Sequence, residues 1–187
     1  MALYFQAFYF SIDNDKLSEN QNYEDVFKNG DKTFYFSVQS RHGWSVDVLS
    51  KLLHASGQNN GLNFLTEMKD NYNEQYILIS SDLFEQIILE INNLVLWCKN
   101  NIDKIGDALG YTDGLDRILG CYSDLIRIEE FIDSTESLLE LIDAKKIDEN
   151  NDGDDFEWLF SYLREIVKMI YRAKKKQQSI VCVSRIC

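Results

Sequence analysis

The sequence predicts an α+β fold, with a small, mainly antiparallel sheet and about five or six helices packed beside it. Two runs near opposite ends of the chain are rich in aromatic or β-branched residues, as buried strands are: "LYFQAFYFSI" (3–12) and "SIVCVSRI" (179–186). Between them, from Ser45 onward, apolar residues recur at three- and four-residue steps, which is the period of an amphipathic helix. This change of period indicates the fold class.

The chain is expected to form one domain. Its 187 residues include no proline, and 45% of them are hydrophobic, so a single core can form without a linker dividing it. We expect a β-rich part over 1–40, a helical part over 45–176, and a strand over 179–186 that returns to the N-terminal sheet. No apolar run approaches the ~20 residues that span a bilayer, so no membrane segment is expected.

The segment after the first strand is predicted to be a β-hairpin. In "YEDVFKNGDKTFYFSV" (23–38), Asn29-Gly30 separates two apolar runs, and this dipeptide favours the type I′ turn of a two-residue hairpin loop. In the second arm apolar and polar residues alternate, as one buried and one solvated face require: Phe34, Phe36 and Val38 against Thr33, Tyr35 and Ser37.

The helical part is expected to begin with a helix capped by Ser45 and ended by Gly57. Its core face would carry Leu49, Leu52 and Leu53. A shorter helical run follows through Leu62, Leu65 and Met68. The run "YILI" (76–79) is either one more strand or an apolar entry into the next helix.

Further helices are predicted along the second half of the chain. A long one starts at Ser81 and continues to Ile105, with a core stripe of Phe84, Ile87, Ile88, Ile91, Val95 and Cys98. Another is expected from Asp113 to Ile126, and a short one after Ser134. The last helix is the clearest, because its apolar residues keep the helical period throughout: Phe156, Leu159, Phe160, Leu163, Ile166, Val167 and Ile170.

The stretch "IDENNDGDDFEWL" (147–159) resembles a calcium-binding EF-hand loop in its first half. Asp148, Asn150 and Asp152 supply oxygen atoms at alternate positions, and Gly153 follows them. The twelfth position, which should be a bidentate glutamate, is Leu159 and cannot bind a metal ion. We therefore expect no calcium site. Instead, Asp154 and Glu157 have the spacing of a capping box for the last helix.

Charge is distributed unevenly along the chain, whose net charge is −12. Residues 101–157 contain 17 acidic and 5 basic residues, whereas residues 158–187 contain 1 acidic and 7 basic residues. An acidic surface repels nucleic acid and attracts cationic partners. We therefore expect no direct binding of nucleic acid except at the basic C-terminal stretch.

Catalytic and metal-binding signatures are not evident. The four cysteines, Cys98, Cys121, Cys182 and Cys187, are too widely spaced for a zinc or redox motif. Without a recognisable secretory signal we expect them to be reduced in a cytoplasmic protein, although Cys182 and Cys187 would be able to pair in an oxidising compartment. No cofactor-binding motif is present either.

The chain as a whole resembles the immunity proteins of bacterial toxin systems, such as contact-dependent growth inhibition. The resemblance is in character: a small, acidic domain, rich in Asn and aromatic residues, with acidic stretches such as "DENNDGDDFE" and "DNDKLSEN" (13–20). It implies a non-enzymatic inhibitor whose acidic surface covers the basic cleft of a toxin, of the nuclease kind in particular. The residues expected to bind the partner are Asp148, Glu149, Asp152, Asp155 and Trp158.

Two other functions remain compatible with the sequence. A phage-encoded inhibitor that mimics nucleic acid would use the same acidity. A small enzyme would use His42 and Arg41, which lie in the polar segment "SRHGW" together with Trp44. The only other histidine, His54, is expected on the polar flank of its helix.

Overall fold

The computed structural model describes residues 4–17, 23–41, 44–58, 62, 76–109, 117–119, 125–127, 138–140, 142 and 158–186. Its strands are β1 (Tyr4–Ile12), β2 (Asp31–Arg41), β3 (Tyr76–Ile79), β4 (Arg117–Leu119), β5 (Leu125–Arg127) and β6 (Ser179–Ile186). Its longer helices are α1 (Tyr23–Asn29), α2 (Trp44–Ser56), α3 (Phe84–Asn100), α4 (Ile102–Leu109) and α5 (Trp158–Lys176). Short 3-10 turns cover Asn14–Lys16 and Ser81–Leu83.

The main sheet has four strands in the order β2-β1-β6-β3, and all neighbours are antiparallel. Strand β6 pairs with β1 over its whole length, from Phe5 opposite Ile186 to Ile12 opposite Ser179. The α+β class and the return of the C-terminal strand to the N-terminal sheet are thus confirmed. The run "YILI" is a strand, β3, at one edge of the sheet.

Apolar side chains cover both faces of the sheet. On one face, Tyr9 and Cys182 join a large core cluster with the buried sides of α2, α3 and α5. On the other face, Phe10 packs with Val181, Val183, Ile12 and with Val26 of α1. The part of β1 from Tyr9 to Ile12 is therefore buried on both sides, as its continuous aromatic run predicts.

The predicted hairpin at Asn29-Gly30 is wrong, because its first arm is the helix α1. The backbone N–H of Gly30 donates to the carbonyl of Val26 at 3.1 Å, so the chain is helical up to the glycine. Val26 is fully buried, and Phe27 meets the ring of Phe10 edge-on at 5.7 Å between centroids. The apolar residues of this segment thus cover the small core cluster from a helix, and β2 pairs with β1 instead.

Two of the predicted helices also differ from the structure. The long helix from Ser81 is interrupted at Asn101, whose side-chain amide donates to the carbonyl of Trp97 at 2.9 Å. Asn side chains compete in this way for backbone groups, and here the result is two helices, α3 and α4. Residues 117–119 and 125–127, predicted to belong to one helix, form an antiparallel strand pair with Ile118 opposite Ile126. Such short apolar runs do not distinguish the two periods.

Helices α2 and α5 agree with their predicted core faces. Leu49, Leu52 and Leu53 of α2 are buried, and Gly57 follows the helix with a φ of 73°, a left-handed value suited to glycine. In α5 the buried residues include Leu163, Ile166, Val167 and Ile170. Of the short helix expected after Ser134, the described residues 138–140 and 142 are helical.

Candidate partner-binding surface

Helix α5 connects the basic C-terminal stretch with the acidic segment that precedes it in sequence. Trp158 is its first residue and Lys176 its last. The predicted partner-binding acids Asp148, Glu149, Asp152 and Asp155 lie outside the described residues, as do the calcium-like loop and the capping box. Of the predicted set, the structure therefore places Trp158 alone, through its backbone.

The direction of α5 is set by its packing on the sheet. Its buried residues lie against the large core cluster, and the chain reverses at Gln177, which has a φ of 57°, to enter β6. The 19 residues of α5 span about 27 Å between the first and last Cα atoms. Trp158 and the last cations of the helix are therefore at opposite ends of a rigid element.

The cations at the C-terminal end of α5 form ion pairs with acids from earlier in the chain. Lys174 pairs with Glu85 of α3. The Nζ of Lys176 lies 2.7 Å from the Oδ2 of Asp31 at the start of β2. Part of the positive charge at this end is thus neutralised within the molecule.

The turn after α5 is also tied to an acidic N-terminal residue. Gln178 donates through Nε2 to the Oδ1 of Asp13 at 2.7 Å, and Lys16 lies 2.8 Å from the other oxygen of the same carboxylate. These two donors, Lys16 first, lower the pKa of Asp13. Asp13, in one of the two acidic stretches quoted above, is therefore engaged in holding the fold.

The outward face of α3 carries two exposed leucines that the sequence reasoning missed. Leu89 is 57% exposed and Leu96 is 38% exposed. Seven residues apart, they lie on the same side of the helix, about 10 Å from each other. The opposite side supplies Ile87, Ile91, Leu94 and Val95 to the core. In the sequence, the available signal was that both leucines lie outside the predicted core stripe. Their exposure makes this face of α3 a second candidate contact surface.

Two features of the core have a structural role in the part of the chain that the structure describes. A cavity of about 10 Å³ between the sheet, α3 and α5 is lined by apolar side chains, Tyr9, Ile87 and Ile166 among them. Such a volume holds about one water molecule. The buried carboxylate of Glu90 accepts hydrogen bonds from the backbone N–H of Leu62 and from Gln86, both at 3.0 Å. It anchors Leu62 to α3 and is a structural group.

The residues of the enzymatic alternative lie partly outside the described ranges. Arg41 is the last residue of β2, His42 lies outside the described ranges, and His54 is exposed near the end of α2. No three His, Cys, Asp or Glu residues in these ranges are close enough to hold a metal ion. Burial raises the pKa of the Cys98 thiol to about 12 and also raises that of Cys182, so neither is a nucleophile at neutral pH.

No helix within the described ranges is long and apolar enough to cross a membrane. Comparison with known proteins finds no family model, no curated protein and no solved structure that matches this chain.

Proposed function

We propose that this protein is a non-enzymatic inhibitor, an immunity protein that binds a cognate basic toxin and covers its active cleft. The toxin is of the kind that binds nucleic acid, because such a cleft is lined with cations and would accept an acidic surface in place of its substrate. The chain supplies this acidity in residues 101–157, where acidic residues outnumber basic ones 17 to 5.

The observation that supports this proposal is the separation of charge along α5. The cations of its C-terminal end are paired with Glu85 and Asp31. The acidic segment joins the helix at Trp158, about 27 Å away. Exposed charges are screened beyond ~8 Å at physiological ionic strength, so the basic end does not neutralise a partner-facing surface beside Trp158.

Two groups of residues would then contribute to binding, one by steering the partner during encounter and the other by anchoring it in the complex. Charges at the rim of an interface accelerate encounter and orient the partner, whereas buried aromatic residues contribute most of the affinity. Three residues of chain span at most about 11 Å, so a partner in contact with Trp158 is within reach of Asp155. We assign the steering to Asp148, Glu149, Asp152 and Asp155, and the anchoring to Trp158.

The first experiment identifies the partner and tests the charge requirement together. The wild-type protein is immobilised and its partners from the source cell are identified by mass spectrometry. The test variant is D148N/E149Q/D152N/D155N. The matched control is D15N/E24Q/D25N/D82N, which changes the net charge by the same amount at exposed positions outside residues 101–157 and leaves the ion pairs of Lys174 and Lys176 in place. Both variants are first compared with the wild type by thermal unfolding.

The expected partner is a basic protein encoded beside this one, and its capture should be lost with the test variant but kept with the control. Surface plasmon resonance at 150 and 500 mM salt should show slower association for the test variant and weaker binding at the higher salt. Trp158→Ala should instead speed dissociation and cost on the order of 2 kcal/mol.

Equal association rates for the test variant and the wild type at low salt would overturn the assignment of this surface. Loss of binding in Leu89→Ser/Leu96→Ser alone would move the interface to the outward face of α3. A partner encoded in a phage operon would favour a nucleic-acid mimic, and turnover of a substrate dependent on Arg41 and His42 would favour an enzyme.

A further inference from the structure

The outward face of α3 has an apolar line along its centre. The helix is continuous from Phe84 to Asn100, so residues seven apart in it lie nearly in line along its axis. Leu89 and Leu96 form this line, and they are 57% and 38% exposed. Leucines at this interval are typical of a helix that packs against another helix.

Polar residues border the two leucines on both sides and repeat at the same interval of seven. One border consists of Glu85, Asn92 and Lys99, and the other of Gln86, Asn93 and Asn100. All six residues are exposed or half-buried. With 3.6 residues per turn, each border lies roughly 50° around the helix from the leucines. The first border carries an acid near the N-terminal end of α3 and a base near its C-terminal end.

We propose that α3 pairs in antiparallel fashion with α3 of a second copy of this chain, about a two-fold axis that passes between Asn92 and Asn93. This axis places Leu89 of each copy opposite Leu96 of the other. It also keeps each border on its own side of the pair, so Glu85 of each copy faces Lys99 of the other. Unlike charges thus meet at both ends, and the two helix dipoles are antiparallel.

The match of this face with itself is the argument for a second copy. Near the axis, Asn92 of one copy is level with Asn92 of the other. An amide side chain both donates and accepts hydrogen bonds, so two such groups can pair with each other. A polar Asn among apolar contacts fixes the register of paired helices. A partner with charge of one sign would meet both Glu85 and Lys99, so the face suits a copy of itself better.

The ion pair between Glu85 and Lys174 is compatible with this arrangement. The side chain of Glu85 is 78% exposed, and a carboxylate has about four acceptor positions. The net charge of −12 on each copy opposes association. One pair of helices buries less than the ~1,000 Å² of a typical stable interface, so we expect a weak, concentration-dependent dimer.

Sedimentation equilibrium of the full chain at 150 mM salt, over a hundredfold range of protein concentration, measures this dimer directly. Leu96→Ser should raise the dissociation constant about tenfold or more, because the two-fold axis makes the substitution act twice. Leu78→Ser is the matched control, since Leu78 is 42% exposed and lies on β3 instead of α3, and it should change the constant less than twofold. Thermal unfolding first verifies that both variants are folded.

A pair of charge reversals tests the register. Lys99→Glu would place an acid opposite Glu85, and Glu85→Lys would place a base opposite Lys99, so each variant alone should dimerise more weakly than the wild type. An equimolar mixture of the two should form a heterodimer about as strong as the wild-type dimer, because both of its ends again pair unlike charges. Lys175→Glu, at an exposed position on α5, makes the same change in charge as Lys99→Glu and should have little effect.

Glu85→Lys separates local pairing from overall repulsion. This variant is less negative than the wild type, so reduced repulsion alone would strengthen its dimer, whereas the proposed register predicts a weaker one.

The proposal is overturned by a protein that stays monomeric at the highest concentration, or by a dimer that Leu96→Ser does not weaken. A mixture of the two charge variants that associates no more strongly than either variant alone would also overturn it. None of these outcomes depends on a toxin, so they are independent of the proposed inhibitory function.

Discussion

Gly30 offers the sharpest test of the corrected N-terminal fold. A Cβ atom at this position would overlap the Cδ2 and Cε2 atoms of Phe10 and lie 3.3 Å from its Cγ. The Phe10 ring is 1% exposed and is held edge-on by Phe27, so it has no space into which to move. We therefore expect Gly30→Ala to destabilise the protein through overpacking.

The expected cost follows from what a filled core tolerates. An additional methyl group in a packed core costs about 1–3 kcal/mol. For a chain of this size, each kcal/mol lowers the melting temperature by roughly 2–4 °C. Gly30→Ala should therefore unfold about 2–12 °C earlier than the wild type, as followed by circular dichroism or calorimetry.

A double-mutant cycle with Phe10→Leu separates this cause from the alternative. Leucine lacks the ring atoms that the new methyl group would overlap, so Gly30→Ala should cost about 1–2 kcal/mol less in the Phe10→Leu background. In a type I′ hairpin turn the cost would instead arise from a positive φ, and Phe10 would not affect it. Gly57→Ala is the control, because Gly57 has a φ of 73° and open space around it, so its cost should be the same in both backgrounds. Equal costs of Gly30→Ala with and without the Phe10 ring would refute the reasoning.

Two further predictions concern β6 and the buried thiols. Deleting residues 179–187 removes β6 from between β1 and β3 and uncovers Tyr9 and Phe10, whose core clusters include the deleted Ile180, Val181 and Val183. The truncated protein should therefore aggregate or lose cooperative unfolding; a monomeric truncation with an unchanged melting temperature would contradict this. Cys98 and Cys182 should react with a thiol reagent at pH 8 only after unfolding, since burial raises the pKa of both thiols. These groups should not change the free energy of unfolding below pH 9. Above pH 9 they should lower it, because the thiols then lose their protons in the unfolded state but not in the folded state. Rapid labelling of Cys98 in the native protein would be the contrary result.

The sequence alone was sufficient to predict an element where its local pattern is compatible with only one secondary structure. The continuous aromatic run of β1 required burial on two faces, and it has this through Tyr9 on one side and Phe10 on the other. The three- and four-residue spacing of α5 determined its buried side, because the face of an isolated helix depends only on its own period. The α+β class, the C-terminal strand and the stop at Gly57 were predictable for the same reason.

The candidate site was predictable in a more limited way. Trp158 is the only one of its five predicted residues that the structure places. The paired state of the C-terminal cations was not predictable, because Lys174 and Lys176 meet Glu85 and Asp31, which are 89 and 145 residues away in sequence. The exposed leucines of α3 lie outside its predicted core stripe, but the sequence does not show whether another element covers them, and so they were missed.

Tertiary structure decided the cases in which one sequence pattern fits two structures. Asn-Gly favours both a hairpin turn and the end of a helix. Here it ends a helix, because Val26 and Phe27 of that helix pack with Phe10 in the small core cluster. Asn101 ended a helix whose apolar period continues beyond it, since its side chain binds the carbonyl of Trp97. Residues 117–119 and 125–127 formed strands because each supplied backbone partners for the other, and such pairing is a property of two segments together.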